Sequence, residues 1–234
     1  MAKTVGDSGR GRSQAVHRAL KRAILDQALS PGAKLPEDSI GERLGVSRTL
    51  VREALVRLSE EGLVDLRPNK GATVARPTLE EGRNLFLTRA ALERLVVETL
   101  AGRLTQDQIE TLSAHIGAED EAKKEHATSI RLAGEFHTLL AQMTSNASLI
   151  RYVNELVARS SLILALYGRP HSSDCAVSEH QELLDSLIAG KAEEASKLMT
   201  HHLDSITTRA LLPREDDRNI KDVLSAYAAA EGLA

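Results

Sequence analysis

The chain has 234 residues, a formal net charge of −3, 42% hydrophobic residues and only 2% aromatic ones. That length allows one large domain or two small ones with a real core, and the scarcity of aromatics favours a helical core of Leu, Ile, Val and Ala over a β-sandwich. No apolar run reaches membrane-spanning length, and the single cysteine, Cys175, excludes an internal disulfide framework and fits a reducing cytoplasm, where its natural role is a passive loop thiol.

Charge is unevenly spread. Residues 1–76 hold 14 Lys and Arg against 9 Asp and Glu, a net of +5, so the remainder carries −8. The first third is therefore the part expected to meet a polyanion.

Residues 1–12 are polar, lack the apolar centre of a signal peptide, and read as a disordered tail. From Ser13, a plausible N-cap, Val16, Leu20, Ile24 and Ala28 share one helical face, and Ser30-Pro31-Gly32 stops the helix. Leu35-Pro36 is extended, because the residue before proline avoids the helical region. A second helix fits Asp38–Leu44, a tight turn fits Gly45-Val46-Ser47, and a third helix fits Arg48–Glu61 with Val51, Leu55 and Leu58 inward. Residues 63–67 alternate as a strand, Pro68-Asn69-Lys70-Gly71 is a turn, and residues 72–75 return. This is the element order of a winged helix-turn-helix, assigned to residues 13–76.

Residues 77–213 then read as an all-helical bundle of about six helices, and residues 214–234 as a charged, Ala-rich tail. Thr78-Leu79-Glu80-Glu81 spells a capping box, followed by a long helix to about residue 103 striped by Leu85, Leu92, Leu95, Val96 and Leu100. A second capping box, Thr105 to Gln108, opens the next helix. Further helices fit about 127–144, 147–167, 176–190 and 192–212.

In a helix-turn-helix the third helix lies in the major groove and leads with its N-terminal residues. Those are Ser47, Arg48, Thr49 and Arg52. Arg48 and Arg52 share a face, and an arginine can hold guanine O6 and N7 together. Ser47 and Thr49 suit phosphate oxygens, and Lys70 beside Gly71 sits at the wing tip.

The run from Gly45 to Leu55, GVSRTLVREAL, with Leu58 and the Glu61-Gly62-Leu63 ending, resembles the GntR superfamily of bacterial repressors across about residues 13–75. Leu50 stands where that family usually has proline. Arg48, Thr49 and Arg52 match its DNA-contacting positions, and Lys70 and Gly71 match its wing more loosely. The helical part resembles the FCD subfamily through Leu87–Glu93, Glu135-Phe136-His137, Glu179-His180 and His202-Leu203. That resemblance implies a domain that dimerises and holds a small ligand, commonly a carboxylate. It also implies a divalent metal, zinc or nickel, on His137, His180 and His202. Members that bind metal add an aspartate one turn before the first histidine, and here that position is Ala133. Three histidines can still hold zinc with water or an effector oxygen completing the set, or they can line a metal-free polar pocket.

A carboxylate in an apolar bundle needs a fixed cation. Arg89 and Arg159 are the candidates; either can instead serve an internal salt bridge, such as Arg89 with Glu93. Leu162, Ile163, Leu164 and Leu166 read as plain core, and His115, His126, His171 and His201 as surface residues. No hydrolase or nucleophile signature accompanies the histidines, so the chain reads as a regulator and not an enzyme. The expected assembly is a cytoplasmic homodimer on a pseudo-palindromic duplex operator, controlled by an organic-acid effector. The competing reading is a metal- or ligand-binding helical protein whose helix-turn-helix serves a protein partner.

Overall fold

The computed structural model describes residues 5–167 and 173–210. Its N-terminal part comprises α1 (Val5–Leu25), α2 (Glu37–Leu44), α3 (Arg48–Glu60), β1 (Val64–Arg67) and β2 (Gly71–Val74). The two strands pair antiparallel with Val64 opposite Val74 and Arg67 opposite Gly71. The extended Leu35-Pro36 piece adds to this hairpin, with Leu35 N–H donating to the Ala72 carbonyl and Lys34 bridging Thr73. Gly45 ends α2 in the left-handed conformation, φ 63°, and turns the chain into α3.

Val16, Leu20 and Ile24 of α1 pack on Val51, Leu55 and Leu58 of α3, with Leu63 and Val74 closing the cluster. The same cluster takes in Ala158 and Leu162 from far along the chain. Leu162 is thus core, but core of the N-terminal unit.

The expectation of a disordered segment up to residue 12 is corrected: α1 starts at Val5, and residues 5–12 are helical. Ser13 lies buried inside the helix and is no cap. The Arg12 guanidinium donates to the Gly45 carbonyl, a tertiary tie that composition cannot reveal. The C-terminal tail, His171 and the Gly168-Arg169-Pro170 break lie outside the described residues.

Six helices follow: α4 (Leu79–Leu100), α5 (Gln106–Ala122), α6 (His126–Met143), α7 (Ala147–Tyr167), α8 (Ser173–Ile188) and α9 (Ala192–Ala210). Both capping boxes form, Thr78 with Glu81 and Thr105 with Gln108. The bundle core joins Phe86, Val96 and Val97 of α4 to Phe136 and Leu140 of α6, Val153 of α7, Leu183 and Leu184 of α8, and Met199 of α9. Leu95, expected on the inward stripe, is 47% exposed. At 3.6 residues per turn it falls about a quarter-turn off the line of Leu85 and Val96.

Candidate DNA-binding face and histidine cluster

Ser47 caps α3, its hydroxyl accepting from Leu50 N–H at 3.5 Å. Leucine at position 50 keeps this donor, which proline would remove. Arg48 and Arg52 are both exposed on the leading turns of α3. Glu37, at the start of α2, gathers them: Arg52 donates through Nε and Nη2 at 2.9 and 2.8 Å, and Arg48 through Nε at 2.7 Å. These bonds hold the Glu37 carboxyl below its ordinary range, against a smaller opposing effect of burial. Thr49 is exposed on the same turn. Arg48, Arg52, Lys70 and Gly71 line one groove of about 730 Å3 between α3 and the wing. Gly71 has φ 80°, which a side chain would strain, and its turn presents Lys70 to solvent.

In the helical part, α6, α8 and α9 bring His137, His180 and His202 together in the interior. His202 Nε2 lies 3.2 Å from His137 Nε2 and 3.3 Å from His180 Nε2. Each outward nitrogen meets a carboxylate: His137 Nδ1 lies 2.5 Å from Glu93 Oε2, His180 Nδ1 2.8 Å from Glu119 Oε2, and His202 Nδ1 2.5 Å from Glu179 Oε2. Phe136 stacks on the His180 ring at 4.0 Å.

Protons held on Nδ1 by carboxylates leave three Nε2 lone pairs facing one another, which is unfavourable without a cation between them. Ligands at about 2.05 Å in a tetrahedral zinc site stand about 3.3 Å apart, which matches these separations. The donor set therefore fits a zinc- or nickel-class ion. Burial lowers the His137 imidazole pKa despite Glu93 and so favours the neutral form that binds metal. Burial alone would raise the Glu93 carboxyl, yet Arg89 and His137 hold it at about 2. Glu119 is likewise held at about 2, against burial, by His115 and His180.

A cavity of about 240 Å3 adjoins the cluster, and its wall includes His137, Ala133 and Arg89. The small Ala133 side chain thus borders the open space where a carboxylate would have stood. Arg89 is buried, donating through Nε to Glu93 at 2.7 Å and through Nη1 to Ser160 at 2.8 Å. The internal ion pair open in the sequence is formed, but Arg89 Nη2 has no partner. Asn154 Oδ1 is a second unpartnered buried atom on the same wall.

Arg159 is elsewhere. It lies over Gly62 and beside Glu155, at the junction of the two domains, and does not border the cavity. Of the two candidate anchors, Arg89 borders the cavity and Arg159 does not. Leu164, read as plain core, borders the cavity. Glu135 pairs with Arg131 and not with the histidines.

His115 is also corrected. It is largely buried, 2.9 Å from the Leu132 carbonyl and 3.3 Å from Glu119 Oε1, and so backs the carboxylate behind His180. His201 is exposed, as expected. The three carboxylates were not singled out from sequence. Only Glu179, beside His180, and Glu93, one turn from Arg89, stood near a marked residue.

A winged helix-turn-helix joined to a helical sensor-like domain defines a one-component transcription regulator. The chain belongs to the gntR family of bacterial regulatory proteins, which it matches over residues 12–74, with an FCD domain over residues 84–205. It is 26% identical to the HTH-type transcriptional repressor RspR of Escherichia coli over 208 residues, covering 88% of this chain and 91% of that one. It is 29% identical to the Uxu operon regulator of Haemophilus influenzae, covering 83% of this chain and 80% of that one. The solved structure of a GntR transcriptional regulator from Rhodococcus sp. RHA1 superposes with a TM-score of 0.78 at 25% identity, covering 86% of this chain and 98% of that one.

Proposed function

We propose that the protein is a cytoplasmic, homodimeric transcriptional repressor whose operator affinity is set by an organic acid bound in the FCD domain. The single observation that carries the reading is the groove shared by α3 and the wing, in which Arg48, Arg52 and Lys70 face outward together. On this reading residues 13–76 are the DNA-binding domain and residues 77–213 the effector-binding and dimerisation domain. Arg48 and Arg52 read base edges; Ser47, Thr49, Lys70 and the Gly71 backbone set register on phosphates.

Leu87, Ala91 and Leu95, spaced four apart, expose an apolar stripe on α4. A second copy covering this stripe makes the dimer, and a two-fold protein suits two half-sites of a palindromic operator.

In the FCD domain His137, His180 and His202 hold a zinc or nickel ion, with Glu93, Glu119 and Glu179 fixing the rings. That ion supplies positive charge and open positions toward an effector oxygen. Arg89 Nη2 is the protein's own anchor for the acid, and Ala133 leaves room beside it. Effector and operator then couple because the acid binds the two dimer geometries with different affinity.

The test is selection of duplexes from a random pool with the full-length protein, followed by binding across a salt series. A palindromic site with two half-sites about one helical turn apart, lost steeply as salt rises, is the expected result. Equal binding of every duplex would sink the reading.

A further inference from the structure

The cavity beside the histidines is not walled by the FCD domain alone. Lys21 and Leu25 of α1, an element of the DNA-binding domain, form part of it, together with Arg89. Arg131 of α6 lines the same end and carries the contact between domains: its Nε lies 2.9 Å from Asp26 Oδ1, just past the end of α1. Lys21 donates at 2.8 Å to Glu61, the residue that caps the C-terminus of α3. His17, one turn earlier on α1, meets the other oxygen of Glu61 at 2.6 Å. Two cations thus border the cavity while paired to carboxylates of the DNA-binding domain, Arg131 also to Glu135 on the cavity wall, and one of those carboxylates, Glu61, closes the recognition helix.

The charges around the cavity are Lys21, Arg89 and Arg131 against the single carboxylate of Glu135, besides His137. Arg89 Nη2, fully buried and unpartnered, marks one end for an anion. The other end offers two more cations, Lys21 paired to Glu61 and Arg131 paired to Asp26 and Glu135, and these partners are partly exposed and therefore replaceable.

We infer that this is a two-ended site for a diacid, with one carboxylate on Arg89 and the other on Arg131 and Lys21. The second contact draws Arg131 from Asp26 and Lys21 from Glu61, so the direct ion pair between α6 and the end of α1 gives way to one through the ligand, and Glu61 at the end of α3 is released. The inference rests on the effector reading above and adds its ligand class and its route to the recognition helix. A monocarboxylate can satisfy Arg89 but leaves the α1 pairs intact.

The test uses the full-length, zinc-loaded protein with malonate, succinate, glutarate and adipate, each beside the monocarboxylate of equal carbon count. Calorimetry is expected to show at least one diacid binding roughly tenfold or more tighter than its monoacid, as a charge-assisted contact allows. Arg131→Gln and Lys21→Gln should each remove most of that preference while leaving monoacid affinity unchanged. Lys21 is partly exposed and Arg131 largely buried, so an unchanged melting curve without ligand checks the fold of each variant. Amide exchange with diacid bound should quicken at residues 22–27 and 58–62.

If no diacid binds, or if diacid and monoacid bind alike in a manner sensitive to Arg89→Gln, the two-ended site is overturned and the effector reading stands. If diacids bind and Arg89→Gln has no effect, the effector reading itself is wrong. Arg89→Lys, which keeps the charge against Glu93, separates loss of the anchor from loss of the fold.

Discussion

Glu37 and Arg52 form a two-bonded pair, Nε to Oε1 at 2.9 Å and Nη2 to Oε2 at 2.8 Å, on the face proposed to meet DNA. A carboxylate there repels phosphate and yet aims the guanidinium. Glu37→Gln is expected to strengthen binding to random duplex by roughly two- to fivefold, the scale of an exposed ion pair, and to strengthen operator binding less. Fluorescence anisotropy on both duplexes checks the ratio. Equal gains on both would show that Glu37 contributes only charge.

Arg52→Ala and Lys70→Ala should fail differently. Loss of Arg52 is expected to cost about 1–3 kcal/mol at one base position and relax preference there. Loss of Lys70 removes one phosphate contact, so it should weaken every duplex alike and reduce the salt slope by about one. A panel of single-base operator variants at two salt concentrations separates the two.

The DNA-binding half was legible because its signals are local. The Gly45 turn, the Ser47 cap and the inward Val51, Leu55 and Leu58 each depend on near neighbours, and each formed as read. The start of α1 was not legible, since Arg12 reaches Gly45 across 33 positions. The histidine trio was marked by resemblance, and the fold gathers it. Its carboxylates come from α4, α5 and α8, and nothing in the local pattern at Glu119, in the last turn of α5, announces a contact 61 positions away. Arg159 lies away from the cavity for a related reason: periodicity gives a face of α7 but not what that face meets. The cavity wall from α1 is a product of domain docking alone.

Thr78 and Glu81 cap the helix that follows the domain junction, with Glu81 accepting from Thr78 N–H at 2.6 Å. Those bonds, backbone first, lower the Glu81 carboxyl from its ordinary range. A carboxyl lowered on folding stabilises fully above its unfolded pKa, about 4.3, and loses that contribution as pH falls through the folded value. Thr78→Ala should cost about 1 kcal/mol at pH 7. Glu81→Ala should be destabilised at pH 7 and approach the parent below about pH 4. Urea unfolding at both pH values measures the gap, and an unchanged gap at low pH would place the effect outside the carboxylate.

The carboxylates behind the histidines make the sharpest demand on the metal reading. Protein purified without an affinity tag is expected to carry about one zinc or nickel per chain, given a single three-histidine site. His180→Ala removes a ligand and should abolish it. Glu119→Gln leaves all three imidazoles but frees the His180 ring to turn and lowers its basicity, so affinity should fall by roughly 10- to 100-fold. Competition against a zinc chelator reads that difference where elemental content does not. On the metal reading, chelator treatment of the parent should lower its melting temperature, because an ion on His137, His180 and His202 adds a crosslink among α6, α8 and α9 to their shared core. If the parent holds no metal and melts identically with and without chelator, the metal reading falls and the trio is a metal-free polar cluster.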